Sequence, residues 1–197
     1  TFTLNIALRL IEQQYIRHNK FFEVLVLAPT GKAAKVASRA TKRRAMTVHR
    51  ALKYNPEGGF FYNARNKLPV DCVVLDESSM LDLEMAASLF DAISHTTKVI
   101  FLGDIKQLPS VGCGNILKDL IESNFVNTVT LNVVKRQGKE SGIVKNANRI
   151  ISNEIIKTEK ETKDAYVIGS KNDQDSIDKI VSLFERLVQK YTLDEVQ

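Results

Sequence analysis

Two apolar runs of this chain end abruptly at side chains that can do chemistry. The run at residues 73–75 is followed by Asp76 and Glu77, and the run at residues 99–102 leads into a loop that carries Gln107. Continuous apolar runs of this kind are typical of central strands in a parallel sheet, which present functional groups at their carboxyl ends. There, Asp76 would hold Mg²⁺, directly or through water, Glu77 would orient and deprotonate an attacking water, and the Gln107 amide would contact a γ-phosphate. The pattern predicts a nucleotide-hydrolysing site.

The elements that must position these residues follow an alternating order. Helices are predicted near residues 3–18, 31–41, 47–52, 83–93, 114–123, 142–151 and 177–188, and strands at 24–28, before 76, before 103, at 128–131 and at 165–168. Residues 54–69 are predicted to form a loop or a small hairpin. The apolar stripe of the last helix is predicted to be core. This order predicts a three-layer α/β sandwich around a mostly parallel central sheet.

Charge is distributed unevenly along the 197 residues, whose net charge is +5. Residues 1–153 carry 21 Lys and Arg against 13 Asp and Glu, whereas residues 154–197 carry 7 against 10. The positive excess therefore lies in the part that carries the motifs, which suggests a polyanionic partner. A solvated basic surface without a partner is an equally open interpretation.

Composition excludes several other classes of protein. No apolar run approaches the roughly 20 residues that span a bilayer, and no basic segment followed by an apolar one opens the chain. The two cysteines, Cys72 and Cys113, show neither a metal-ligand nor a disulfide pattern. We therefore expect no membrane association and a cytoplasmic location.

Six segments, taken in order, carry a resemblance to a known family. They read LAPTGKAAK at 27–35, TVHRAL at 47–52, LDESSM at 75–80, GDIKQLPSVG at 103–112, KRQ at 135–137 and SGIV at 141–144. Together they resemble the first RecA-like motor domain of superfamily-1 DNA helicases of the RecD/TraA type, which has a P-loop NTPase fold. The resemblance covers about residues 1–152, and it assigns residues 153–197 to a charged connection, a strand and a helix that lead toward a second motor domain.

The resemblance implies ATP and Mg²⁺ as cofactors and a role for each motif residue. Thr1 and Asp76 would lie at the metal, Glu77 would activate water, Gln107 would sense the γ-phosphate, and Arg136 would stabilise the transferring phosphoryl group. The family usually has an aromatic residue immediately before this arginine, whereas this chain has a lysine.

Single-stranded DNA is the partner that the resemblance implies for the turn between the first predicted strand and its helix. This turn consists of Pro29, Thr30, Gly31 and Lys32. A helix amino end and a hydroxyl suit phosphate groups, without regard to base sequence. A capped helix with a solvated basic face is the structural alternative, and 5′-to-3′ translocation is implied by the family alone.

A complete phosphate-binding loop is not present in this sequence. Thr1 matches the hydroxyl residue that ends such a loop, whose glycines and lysine would lie upstream. Gly31-Lys32 does not replace them, because Val26 stands where the loop needs a glycine. We therefore expect the isolated chain to be inactive, and we expect the second RecA-like domain, with other protein subunits as further candidates, to be its partner.

Two other functions remain open at this stage. A degenerate P-loop fold would serve as a non-catalytic module that binds DNA or protein, and a P-loop ATPase need not be a helicase. The arrangement at 103–112 argues against the second. His49 has no assigned role, and the aromatic residues Phe60, Phe61 and Tyr62 would either stack on bases or close a hairpin.

Overall fold

Strands alternate with helices along the first two-thirds of the chain. The computed structural model describes residues 2–17, 21–131, 141–156 and 164–192. The strands are β1 (Val24–Ala28), β2 (Ala45–Thr47), β3 (Tyr54–Asn55), β4 (Gly59–Phe60), β5 (Cys72–Leu75) and β6 (Lys98–Phe101). The helices are α1 (Phe2–Arg17), α2 (Gly31–Thr41), α3 (Val48–Ala51), α4 (Leu83–Ala92), α5 (Ile116–Glu122), α6 (Gly142–Ile151) and α7 (Asp173–Lys190), and a 3-10 turn covers Ser78–Met80.

The central sheet contains four strands in the order β2-β1-β5-β6, and each pairing is parallel. Strands β3 and β4 form a separate antiparallel hairpin, in which Tyr54 pairs with Phe60. The predicted parallel sheet and the predicted small hairpin are both confirmed.

Alternate residues of the strands face opposite sides of the sheet, so each side has its own buried cluster. One cluster contains Leu4, Leu8, Val26, Ala37, Cys72 and Val74. The other includes Leu27, Val48, Leu52, Val73, Leu75 and Leu89. Helices α1 and α2 therefore cover one face and α3 and α4 cover the other, which confirms the predicted three-layer sandwich.

Helices α2, α3 and α4 each begin at a polar residue whose side-chain oxygen accepts a hydrogen bond from the backbone N–H three residues later. The caps are Thr30 for α2, Thr47 for α3 and Asp82 for α4, with distances of 3.2, 3.3 and 2.8 Å. Such bonds satisfy N–H groups that a helix end would otherwise leave unpaired, and each contributes about 1 kcal/mol. The helix predicted near residues 47–52 is confirmed, and Thr47 caps it.

Helix α1 is held on the sheet by its apolar face and by polar contacts with α2 and with the residues that follow α2. The Asn5 side-chain amide donates to the Ala40 carbonyl at 2.8 Å, and Arg43 forms an ion pair with Glu12 at 2.6 Å. Leu8 of α1 is fully buried, whereas Leu10 is 58% exposed. The apolar face of α1 therefore contributes directly to the core.

Three expectations about the later part of the chain are wrong. Residues 128–131 and 165–168 are not strands, although both runs are rich in β-branched residues. β-propensity mainly reflects packing on a pleated surface, and among the described residues neither run has a partner strand. The apolar stripe of α7 is not core, since Ile177, Ile180 and Phe184 are 52%, 67% and 45% exposed.

The chain forms two compact units, which divide between Thr130 and Leu131. All six strands lie in the first unit, whereas α6 and α7 lie in the second. The domain boundary that the motifs place at residue 152 stays a prediction. None of the helices in the described ranges combines the length and apolar character needed to cross a membrane.

Truncation of two leucines on α1 tests the packing of this helix. We expect Leu8→Ala to lower the free energy of unfolding by about 2–5 kcal/mol, because it removes buried methyl groups and leaves a cavity. Leu10→Ala, an identical change at an exposed position of the same helix, should cost no more than about 0.5 kcal/mol. Urea titration followed by circular dichroism measures both. Equal losses for the two variants would contradict the assigned face of α1.

The two cysteines should differ strongly in reactivity. Burial raises the pKa of the Cys72 thiol to about 11, whereas Cys113 is exposed. Because the thiolate is the reactive form, a rise in pKa from 9.0 to about 11 lowers its population at pH 8 on the order of 100-fold, in addition to the loss of access. Peptide-resolved iodoacetamide labelling should therefore modify Cys113 and leave Cys72 unmodified until urea unfolds the chain. Comparable labelling of both thiols in the native protein would refute the burial of β5.

Candidate active site

Three of the four motif-bearing segments of the first unit follow the neighbouring strands β1, β5 and β6. In the sheet, β5 lies between β1 and β6, with Leu75 opposite both Leu27 and Phe101. The ladder continues one residue further, because Asp76 N–H donates to the Leu27 carbonyl and Leu102 N–H to the Leu75 carbonyl, both at 2.8 Å. Since these strands are parallel, the segments that follow them leave the sheet at the same edge.

The acid pair follows β5 directly. Asp76 and Glu77 are both half-buried, and one carboxylate oxygen of Asp76 accepts a hydrogen bond from Glu77 N–H at 3.2 Å. In the described part of the chain, no group donates a hydrogen bond to the Glu77 carboxylate. This carboxylate is therefore available to accept a proton or a hydrogen bond from a water molecule.

The backbone of Glu77 is in the left-handed region, with φ 54° and ψ 39°. This conformation costs a residue with a side chain on the order of 1 kcal/mol. Residues held in such strained conformations are concentrated at functional sites. The turn directs the chain from β5 into the 3-10 segment that begins at Ser78. The sequence contains no signal for this conformation, since glycine and asparagine are the residues that usually adopt it.

Ser78 joins the ends of β5 and β6, a contact that the sequence does not predict. Its backbone N–H and its hydroxyl both donate to the carbonyl of Leu102, at 2.8 and 2.9 Å. The next residue, Ser79, has a buried hydroxyl that has no partner among the described residues. These contacts fix the turn that carries the acid pair against the start of the loop that carries Gln107.

Gly103 begins that loop at a point where no side chain fits. A Cβ at this position would lie 2.7 Å from a methyl of Leu117, 2.9 Å from the Ser78 hydroxyl and 3.0 Å from the backbone nitrogen of Ser79. Because one of these neighbours is backbone, relief would require the strand end or the turn to move. The close packing at Gly103 therefore shapes the start of this loop.

Gln107 lies exposed after a compact turn. One carboxylate oxygen of Asp104 accepts from Lys106 N–H at 2.9 Å, and Gln107 N–H donates to the Asp104 carbonyl at 3.1 Å. Asp104 thus organises the backbone of the turn. Among the described residues the Gln107 amide has no hydrogen-bond partner, so it is available to contact a ligand.

The turn from Pro29 to Lys32 leaves an open helix end at the same edge. Thr30 caps α2, and Lys32 is exposed. A Cβ at Gly31 would meet no atom of the described residues within 4 Å, so their packing does not require a glycine there. An exposed helix amino end with adjacent hydroxyl and ammonium groups can accept a phosphate.

Two of the predicted site residues, Thr1 and Arg136, lie outside the described residues. The roles assigned to Thr1 and Arg136 therefore stay predictions.

His49 and the hairpin form an aromatic group. The His49 ring lies 5.8 Å from that of Tyr54 and 6.0 Å from that of Phe60. Phe60 and Tyr62 pack against the core, whereas Phe61 is exposed, with the Lys53 ammonium 4.9 Å from its ring centroid. These contacts support a structural role for His49 and Phe60, and base stacking by Phe61 stays a prediction.

The residues at the sheet edge suit Mg²⁺ bound together with a nucleotide. Among the described residues, no three His, Cys, Asp or Glu side chains converge into a site that would hold an ion alone. Mg²⁺ bound with a nucleotide uses one or two carboxylates, phosphate oxygens and water, rather than an all-protein cage. The half-buried carboxylate of Asp76 meets this smaller requirement.

Comparison with known proteins identifies relatives of similar sequence. The ATP-dependent RecD2 DNA helicase of Deinococcus radiodurans is 37% identical over 132 residues, which are 67% of this chain and 18% of that protein. The RecBCD enzyme subunit RecD of Mycobacterium tuberculosis is 32% identical over 146 residues, 64% of this chain and 25% of that protein. DNA helicase B of Mus musculus is 32% identical over 156 residues, 73% of this chain and 14% of that protein.

The chain thus spans a quarter or less of the length of these relatives. The family model described as an AAA domain matches residues 1–172. The relatives confirm the resemblance to RecD-type helicases, and because the family model matches most of the sequence, the chain belongs to the AAA domain family.

Proposed function

We propose that this chain is the motor domain of an ATP-dependent DNA helicase, which couples ATP hydrolysis to movement along single-stranded DNA in the 5′-to-3′ direction. The observation that carries the proposal is the parallel pairing of β1, β5 and β6. It brings the Pro29–Lys32 turn, the acid pair and the Gln107 loop to one edge of the sheet. The proposed DNA-binding turn after β1 and the proposed ATP-hydrolysing residues after β5 then follow adjacent strands.

In the proposed reaction, Glu77 takes the proton of a water molecule as that water attacks the γ-phosphorus of ATP. The free Glu77 carboxylate beside Asp76 supports this assignment. Asp76 and Thr1 would hold Mg²⁺, which when bound supplies positive charge to the phosphate oxygens. Gln107 would contact the γ-phosphate, and Arg136 would stabilise its charge as the bond to the β-phosphate breaks.

DNA would bind through its phosphates at the amino end of α2. Thr30 offers a hydroxyl and Lys32 a charge, and further exposed cations, Lys35 and Arg39, follow on the same helix. Contacts of this type carry no base sequence information. We therefore propose binding without sequence preference, and affinity that falls as the salt concentration rises.

The active protein would require more than this chain. We propose that the phosphate-binding lysine and the second RecA-like domain belong to the same longer protein, that other subunits can join it, and that it works in the cytoplasm. The isolated chain should accordingly show negligible ATP hydrolysis. A non-catalytic binding module on the same fold is the competing proposal, and the first experiment below separates the two.

Replacement of Glu77 tests the catalytic assignment. In the full-length protein, we expect Glu77→Gln to lower DNA-stimulated ATP hydrolysis by about 10²–10⁴-fold, because the amide cannot accept the proton of the attacking water. Glu84→Gln, the same change at an exposed position on α4, should leave the rate unchanged. Phosphate release with and without single-stranded DNA measures both. DNA binding without any hydrolysis by the unchanged protein would favour the non-catalytic module.

Replacement of Lys32 tests the DNA contact. We expect Lys32→Ala to weaken binding of single-stranded DNA and to reduce the slope of log affinity against log salt by about 0.7, the loss of one phosphate contact. Lys118→Ala removes the same charge from α5, where Glu122 lies 3.7 Å away, and should leave the slope unchanged. Fluorescence anisotropy over a salt series measures the slope. An equal change for both variants would show that Lys32 acts only through net charge.

A further inference from the structure

The loop from Gly103 to Gly114 combines an exposed middle with tightly held ends. Gln107 is exposed, Leu108 is 84% exposed, and Val111 is fully exposed. Exposed apolar side chains do not hold a loop in one conformation. The position of Gln107 must therefore depend on contacts at the two ends of the loop and within its backbone.

The amino end of the loop is anchored to the turn that follows the acid pair. Gly103 packs against the Ser78 hydroxyl and the Ser79 backbone, as described above. This contact alone fixes only one end of the loop.

The carboxyl end is anchored to the start of α4, which follows the same turn. Leu83 N–H donates to the Cys113 carbonyl at 2.8 Å. Gly114 has a φ of +98°, and a Cβ there would lie 3.0 Å from the Leu83 Cβ. Within the loop, the Ser110 hydroxyl lies 2.9 Å from the Gly112 carbonyl and 2.8 Å from that of Gly114.

Asp82 occupies the centre of this second anchor. One of its carboxylate oxygens caps α4 by accepting from Met85 N–H at 2.8 Å. A Cβ at Gly112 would lie 2.7 Å from the other oxygen, 3.0 Å from Cγ and 2.8 Å from the Asp82 Cβ. Asp82 cannot move aside without losing its cap, so Gly112 packs on a side chain that is itself held in place.

The two anchors belong to one short stretch of chain that begins at Glu77, the proposed general base. Glu77 immediately precedes the 3-10 turn Ser78–Met80, Leu81 N–H donates to the Ser78 carbonyl at 3.1 Å, and Asp82 follows. The start of α4 is therefore fixed relative to Glu77. Because this stretch holds both ends of the loop, the position of Gln107 is fixed relative to Glu77.

We propose that the packing of Gly112 on the capping side chain of Asp82 positions Gln107 relative to Glu77 and so sets the rate of ATP hydrolysis. This inference rests on the proposed function, since it assigns Gln107 to the γ-phosphate. In this proposal Asp82 and Gly112 act without contacting nucleotide or DNA. They are positioning residues that act through Gln107.

The first test measures hydrolysis by the full-length protein carrying Gly112→Ala. We expect kcat for DNA-stimulated hydrolysis to fall about 10- to 100-fold, because displacement of a reacting group by about 1 Å has effects of this size. KM for ATP should change by no more than about twofold, since the contact of Gln107 matters most as the phosphoryl group transfers. Gly169→Ala is the matched control, because a Cβ there meets no atom within 4 Å in the described part of the chain.

Two double variants separate positioning from general damage. Asp82→Gly removes the three atoms that a Cβ at 112 would meet, and glycine is tolerated as a helix cap. In that background, Gly112→Ala should cost no more than about twofold in kcat. In a Gln107→Ala background, Gly112→Ala should likewise add no more than about twofold, because its effect passes through Gln107.

A third variant keeps the proposal testable if Gly112→Ala does not fold. Ser110→Ala removes only a hydroxyl within the loop, so it introduces no clash. We expect a lower kcat with KM for ATP unchanged, and faster alkylation of the exposed Cys113 thiol in the native protein. An unchanged alkylation rate together with an unchanged kcat would overturn the proposal.

The outcomes for the proposed function and for the inference are distinct. Absence of hydrolysis in the unchanged full-length protein would overturn both. Normal hydrolysis in the unchanged protein, with no loss in Gly112→Ala, would overturn the positioning role alone. The same fold loss for Gly112→Ala in the original, Asp82→Gly and Gln107→Ala backgrounds would also overturn it.

Discussion

The site depends on the backbone hydrogen bonds that join β1, β5 and β6 in parallel register. These bonds continue beyond the strands, through Asp76 to Leu27 and through Leu102 to Leu75. Parallel pairing requires that each strand end at the same edge, so three segments separated along the chain become neighbours. A change in the order or direction of these strands would separate the acid pair from the loop of Gln107, whatever their side chains.

A second constraint is the lack of space where the strands leave the sheet. The left-handed turn at Glu77 brings Ser78 under the carbonyl of Leu102, and only a glycine at 103 fits beside it. Strain at Glu77 and close packing at Gly103 therefore belong to the same arrangement. The turn places the Glu77 carboxylate at the sheet edge through contacts of the neighbouring residues. The carboxylate itself does not hold the turn together, so it stays available for chemistry.

Several features were predictable because they depend on local patterns. The apolar runs of β1, β5 and β6 are buried strands, Thr47 caps a helix, and the periodic apolar residues of α1 and α4 face the core. The runs at 128–131 and 165–168 have similar composition but are not strands, because a strand also needs a partner. The stripe on α7 has helical spacing and forms a helix, yet spacing cannot show whether another surface covers it.

The sequence by itself determined which residue types are available for chemistry and the order of the elements that carry them. The acid pair, the glutamine and the basic turn are visible as motifs, because each combines residue type with position at the end of an apolar run. Only the tertiary structure decided how they are held. The conformation of Glu77, the bonds of Ser78 and the packing of Gly112 on Asp82 join residues through space, and no local pattern records such contacts.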